Sequence, residues 1–172
     1  MISYLQQLEI LAFFSGYPLL YAIVATIGNA AKSRSSFRYI IFMLLPFAYA
    51  IVGILYTGLQ LKNLYPDYSF KHIYAEIQIP FYAIWGLLSI TFFIPALSKR
   101  PVVSLLHSLV FFYLMVRNFY LQLRSPFPDH DIMKNHMRIY FDSIILNIVV
   151  IISLSIFYYI IKLMKKKAFV DN

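Results

Sequence analysis

Apolar residues in this chain neither alternate nor return with a short repeat. They gather into long runs separated by brief polar stretches, at 10–27, 39–61, 79–97, 102–121 and 143–161. Each run approaches the roughly 20 residues that a helix needs to cross a bilayer, and each is far longer than an ordinary strand. The first has no charge between Glu9 and Lys32, and the second is bounded by Arg38 and Lys62. The third lies between Glu76 and Lys99, and the fifth between Asp142 and Lys162. The fourth is apolar from Val102 to Val116, then continues through Arg117-Asn118-Phe119-Tyr120-Leu121. Pro46 and Pro95 fall inside runs and are expected to kink membrane helices, whose neighbours re-satisfy the freed carbonyls. No run is short or Gly-rich enough to suggest a re-entrant loop. The predicted fold is all-α: an integral membrane bundle of five transmembrane helices, with residues 1–172 as a single domain. The first run reads as a retained helix, not a signal peptide, because Met1–Leu8 carries no Lys or Arg.

Composition supports that class. Of 172 residues, 61% are hydrophobic, 19% aromatic and 13% charged, with a mean hydropathy of +0.71. A soluble domain is about 45–50% apolar and about 25% charged, so a core of this length could not hide the excess. The same figures exclude disordered, collagenous and solenoid chains. The absence of cysteine excludes disulfide scaffolds, thiolate metal sites and thiol catalysis.

Charge gives the predicted orientation. Lys32, Arg34, Arg38, Lys99, Arg100, Lys162, Lys165, Lys166 and Lys167 fall on one side of a five-span chain, with Asp171 the sole acid there. Lys62, Lys71, Arg117, Arg124, Lys134 and Arg138 fall on the other, balanced by Glu9, Asp67, Glu76, Asp129, Asp131 and Asp142. The net charge of +8 therefore belongs to one face. Cationic loops stay in the cytoplasm, which sets the N-terminus outside and the C-terminus cytoplasmic. The expected location is a cell membrane, of the bacterial cytoplasmic kind. These cations are short juxtamembrane clusters that attract anionic lipid heads; a nucleic-acid partner is not expected, because no soluble basic stripe exists.

Polar residues outside the runs form a candidate outer-face cluster: Glu9, His72, Glu76, Arg117, Arg124, Asp129, His130, His136 and Asp142. In the loop before the third run, Asp67 or Ser69 can cap a short helix in which Phe70, Ile73, Tyr74 and Ile77 share a face. Such a helix would lie at the interface before Pro80 opens the next span. A second helix, from His130 to Arg138, is expected to run into the fifth span. His130 and His136 are six apart, about 240° around a helix, so they do not face one metal ion as residues four apart would. No metal and no cofactor is implied. Arg117 is expected near the outer interface, paired with Asp142 or Glu9, or snorkelling to phosphate.

Within the runs, His107 and Asn147 are the candidate intramembrane polar residues, because burying them unpaired costs several kcal/mol. Ser104, Ser108, Phe111, Met115, Asn118 and Gln122 continue the His107 face, which should turn inward. Asn147 follows Ser143 by one turn and is expected to bond another helix. Tyr4, Tyr39, Tyr56, Tyr82, Tyr120 and Tyr140 sit near span ends, as an aromatic belt would. No nucleophile elbow, phosphate loop or paired intramembrane acid is present, so no catalytic residue is assigned. The leading expectation is a non-catalytic accessory subunit of a membrane complex, or an oligomeric transport or channel component. The alternatives are a small membrane enzyme acting on a lipid or amphiphile at the outer face, and a membrane sensor with outer-loop ligand binding.

Overall fold

A computed structural model of the chain describes the backbone at residues 2–29, 37–77, 80–124 and 130–170. Every element among the described residues is helical: α1 (Ile2–Phe14), α2 (Tyr17–Asn29), α3 (Phe37–Leu64), α4 (Phe70–Glu76), α5 (Pro80–Leu88), a 3-10 turn (Ser89–Phe93), α6 (Pro95–Ser98), α7 (Pro101–Leu123) and α8 (His130–Val170). Four stretches are long and apolar enough to cross a membrane: Gln6–Thr26, Tyr39–Leu64, Pro101–Leu123 and Ile132–Lys165. α3 stops two residues before Pro66, whose ring disfavours helical backbone at the preceding residue. α7 opens on Pro101, where a missing N–H costs nothing.

The first run is not one straight helix. α1 ends and α2 begins around a turn at Ser15 and Gly16. Pro18 accounts for the break, since it has no N–H for the Phe14 carbonyl one turn earlier. In hydrocarbon the backbone groups left open around such a turn must be bonded elsewhere, and α8 supplies partners for two of them, the Gly16 N–H and the Phe13 carbonyl. The Gly16 N–H donates to Ser143 Oγ at 2.9 Å. Asn147 Nδ2 donates to the Phe13 carbonyl at 2.9 Å and to the Ser143 carbonyl at 2.8 Å. The approach depends on glycine: a Cβ at Gly16 would lie 2.5 Å from the Ile144 backbone nitrogen. The interhelical bond expected of Asn147 is thus present, and it serves a backbone break that sequence reasoning did not place.

The third run departs further from a continuous span. It consists of α5, the 3-10 turn and α6, and its apolar helical part, Pro80–Phe93, is too short for an ordinary crossing helix. Two hydroxyls bond back to their own chain here, Ser89 Oγ to the Gly86 carbonyl and Thr91 Oγ1 to the Leu88 carbonyl, each at 2.6 Å. Such back-bonding competes with the regular helical ladder. Pro95 then withholds its donor and drives Ile94 to extended backbone, φ −68° and ψ 127°.

This broken segment nevertheless runs antiparallel along α3 for most of its length. A Cβ on Gly86 would strike Tyr56, and one on Gly53 would strike Ser89. Further along, the rings of Phe47 and Phe93 are 6.3 Å apart, and Lys99 shares a groove with Tyr39. From Tyr56 to Tyr39, α3 covers about 25 Å at 1.5 Å per residue. The partner spans this between Gly86 and Lys99 because the 3-10 turn Ser89–Phe93 and the extended Ile94 rise more per residue than the α-helical parts beside them. The loosened helix gives a short run a long reach.

α3 occupies the middle of the bundle, packed on α2, α8, α7 and the segment from α5 to α6. Buried Leu45, Ala48, Tyr49, Val52 and Tyr56 meet Phe14, Tyr17, Phe92, Phe111 and Ile151. α8 is the most outward helix: 17% of its apolar window is buried, against 50% for Gln6–Thr26. Its 41 residues reach about 60 Å, roughly twice the hydrocarbon thickness.

Two glycines give a paired prediction. Gly16→Ala forces a methyl onto the α8 backbone and should lower unfolding free energy in detergent by about 1–3 kcal/mol, as overpacking does. Gly58, with nothing within 4 Å of a built Cβ, should behave oppositely: Gly58→Ala should be neutral or stabilising by up to about 1 kcal/mol. Circular dichroism during titration with a denaturing detergent reads both.

Candidate functional site

The most connected polar group inside the bundle is His107, on the inward face of α7. Ser104, Ser108 and Phe111 on that face are buried, as the spacing predicts. His107 Nδ1 shares a 2.7 Å hydrogen bond with the Tyr49 hydroxyl of α3. The Trp85 indole of α5 lies flat on the imidazole, with ring centres 4.7 Å apart and planes 4° from parallel. Its Nε1–H donates to the His107 carbonyl at 3.1 Å. Phe92 and Phe111 meet the imidazole edge-on, at 5.6 Å and 6.2 Å.

A second bonded pair lies one turn away. Ser104 Oγ donates to the Pro101 carbonyl at 2.7 Å, so its single proton is used. The Tyr17 hydroxyl, 2.7 Å from that oxygen, is therefore the donor between them. The Tyr17 and Tyr49 rings stand 4.4 Å apart, and Phe14 stacks on Phe111 at 4.8 Å. Tyr17, Tyr49, Phe14 and Phe111 are all 0% exposed. One aromatic centre thus ties α1, α2, α3, α5, the 3-10 turn and α7 together. Each ring pair adds about 0.5–1.5 kcal/mol beyond its buried area.

Chemically this centre is closed. His107 Nε2 has no hydrogen-bond partner among the described residues, and the side chains around it are Tyr49, Trp85, Phe92 and Phe111. Among the described residues the ring contacts of the imidazole are these four aromatic side chains, and no group of His, Asp and Glu gathers at it as a metal set would. Two large cavities among the described residues, about 570 Å³ and about 500 Å³, lie on the outside of α3 and α8, and His107 lines neither. Tyr17, Tyr49 and Trp85 were not singled out from the sequence as a site. The available signal was a lone tryptophan and two tyrosines at mid-run depth. Tyr56, read as part of an interfacial belt, is instead 3% exposed and packed on Phe13 and Phe14.

The outer-face candidates are distributed over several elements. Glu9 accepts from Gln60 Nε2 at 3.3 Å and from Asn63 Nδ2 at 3.3 Å. The expected pairing of Arg117 with Glu9 or Asp142 does not form among the described residues. Arg117 lies on the exposed side of α7 with Tyr113 and Tyr120, and Asp142 is exposed on α8. Arg124 sits over the Tyr120 ring at 5.5 Å. His136 is buried, its Nδ1–H donating to the Ile132 carbonyl at 2.8 Å. His72 is half-buried on α4, where its backbone N–H donates to the capping Ser69 hydroxyl at 3.3 Å. Asp67 braces that cap by accepting the Ser69 N–H at 2.9 Å and its hydroxyl at 3.1 Å. These bonds hold the Asp67 carboxyl below its ordinary pKa. Asp129 and the side chains of Glu76 and His130 lie outside the described residues. Among the described residues no three of His, Asp and Glu gather as a metal set would.

Fold and site define an all-helical chain with apolar helices suited to a membrane, closed at its centre by an aromatic and hydroxyl network. No family model, curated protein or solved structure matches it.

The Tyr49–His107 bond can be tested by a double-mutant cycle. Tyr49→Phe leaves His107 Nδ1 buried without its partner and should lower stability by about 1–3 kcal/mol. Adding His107→Phe removes both partners and should recover part of that loss, with a coupling near 1 kcal/mol. Strictly additive effects, read by unfolding in detergent, would show that the two side chains are not joined.

Proposed function

We propose that this chain is a five-span membrane protein, with its amino terminus outside and its carboxyl terminus cytoplasmic, that serves as a non-catalytic accessory component of a larger membrane assembly. The observation that carries this reading is the contrast between inside and outside. Among the described residues most buried polar side chains are hydrogen-bonded within or between helices, while two large cavities open outward beside α3 and α8.

Several observations support the five crossings. Glu9, Gln60 and Asn63 meet at one end of α3. Tyr39, Lys99 and Tyr158 line one groove at the other end. The broken third segment joins those ends, with a reach of about 25 Å against a hydrocarbon core of about 30 Å. The cations assigned to the cytoplasmic side, Lys99 and Arg100, and Lys162 and Lys165 beyond Tyr158, then fall at one end.

A component of this kind works by contact. The outward face of α8, with exposed Ile145, Val149, Ile152, Ile156 and Leu163, meets lipid or a partner helix, and the long helix continues past the apolar layer. A carrier would need a water-lined path near His107, and an enzyme would need reactive groups converging on a cavity. Both large cavities are walled mainly by apolar and aromatic side chains.

The native mass in a mild, lipid-preserving extract decides the role. The chain, tagged at its carboxyl terminus and expressed at its natural level, should migrate well above one copy plus its micelle. It should fall to that mass once stripped in a harsher detergent. Migration as a single copy in the mild extract would overturn the accessory reading.

A further inference from the structure

Two grooves of similar size flank the first half of α3, and their chemistry differs. The groove of about 570 Å³ is walled by Ile41 and by residues of α8 such as Ile151, Ile152 and Ile156; its polar groups are the neutral Ser155 and Tyr159. The groove of about 500 Å³ is walled by Met43, Phe47 and Phe93, and it ends at Tyr39, Tyr158 and Lys99. Both volumes lie within the range of about 300–1,000 Å³ typical of sites for small ligands. Lys99 and its neighbour Arg100 are exposed, and Lys162, one turn beyond Tyr158 on α8, is exposed as well. No carboxylate is among the lining residues of the second groove.

An apolar trough closed at one end by a cation and two amphipathic tyrosines matches a molecule with a hydrocarbon tail and an anionic head. We propose that the second groove binds one anionic phospholipid, with an acyl chain along Met43, Phe47 and Phe93 and the phosphate at Lys99. Tyr39 and Tyr158 flank the head at the level where amphipathic rings partition. Arg100 and Lys162 add to the local positive potential, which draws anionic heads and weakens with salt. The first groove lacks a cation and accepts chains without regard to their heads. This inference rests on the membrane reading and not on the accessory role, so a chain that migrates alone can still hold its lipid.

The test uses the full chain, delipidated in a neutral detergent and supplied with phosphatidylglycerol or phosphatidylcholine of identical acyl chains. Native mass spectrometry counts the retained lipids and thermal unfolding follows stabilisation. Wild type should retain one phosphatidylglycerol in preference to phosphatidylcholine, with the preference falling as salt rises. Lys99→Gln should weaken phosphatidylglycerol retention about fivefold, as expected for one juxtamembrane cation, and leave phosphatidylcholine unchanged. Lys99→Arg should keep the preference. Met43→Trp should obstruct retention of either lipid there, whereas Ile156→Trp, in the other groove, should leave phosphatidylglycerol in place. Equal retention of the two lipids by wild type would overturn the proposal, and that comparison needs no variant. Retention by Lys99→Gln equal to wild type, or equal stabilisation by glycerophosphate lacking acyl chains, would overturn it too.

Discussion

A polar backbone group freed inside hydrocarbon has no water to turn to, and leaving it unpaired costs several kcal/mol. This constraint bears hardest on the first apolar run, where the chain turns at Ser15 and Gly16 ahead of Pro18 and leaves backbone groups without helical partners. The answer comes from 127 residues downstream, where the Ser143 hydroxyl takes up the Gly16 N–H. Asn147, one turn later, donates to the Phe13 carbonyl. Those two bonds fix where α8 crosses the break and which of its faces turns inward. With α8 set on one side of α1 and α2, α3 lies across α2 and α8, and the aromatic centre closes on its other side. The same rule operates at the third run, where Ser89 and Thr91 bond back to local carbonyls and the helix loosens into a 3-10 turn.

In a bundle organised this way the polar groups of the centre are largely committed to one another. Tyr17 is committed to Ser104, Tyr49 to His107, and the Trp85 indole N–H to the His107 carbonyl. The imidazole is stacked and edged by four aromatic rings. Chemical variety lies instead on the surface, where one groove is neutral and its counterpart is closed by Lys99. That contrast between centre and surface is what the proposed accessory role and the proposed lipid site share.

Much of this architecture was legible in the order of residues, and the exceptions have physical causes. The inward face of α7 followed from the spacing of Ser104, His107, Ser108 and Phe111. The cap at Ser69 followed from a hydroxyl ahead of an amphipathic turn. The helix from His130 into the last run followed from unbroken helical residues after Pro128. Breaks inside apolar runs were harder. Pro18 lies in the middle of the first run and Pro95 near the end of the third, and whether such a proline kinks or interrupts a helix depends on neighbours that the run itself does not show. The aromatic centre was hidden for a related reason. Tyr56 reads as an amphipathic ring of an interfacial belt, and only the packing against Phe13 and Phe14 makes it an interior residue. Arg117 pairing failed because its face of α7 points outward, a direction set by neighbours and not by depth.

The bundle proposed here crosses the membrane five times around a closed centre, and the absence of native cysteine permits one direct measurement of that topology. Single cysteines placed as Asn63→Cys, Lys99→Cys and Ser104→Cys can be challenged in oriented membrane vesicles with a charged, impermeant thiol reagent added to either side. The account predicts that the cysteine at position 63 reacts from the outer side and that at position 99 from the cytoplasmic side. The cysteine at position 104, buried at the aromatic centre, should react from neither until the protein is unfolded. Reaction of positions 63 and 99 from the same side, or reaction of position 104 in the folded protein at a rate comparable to theirs, would contradict it.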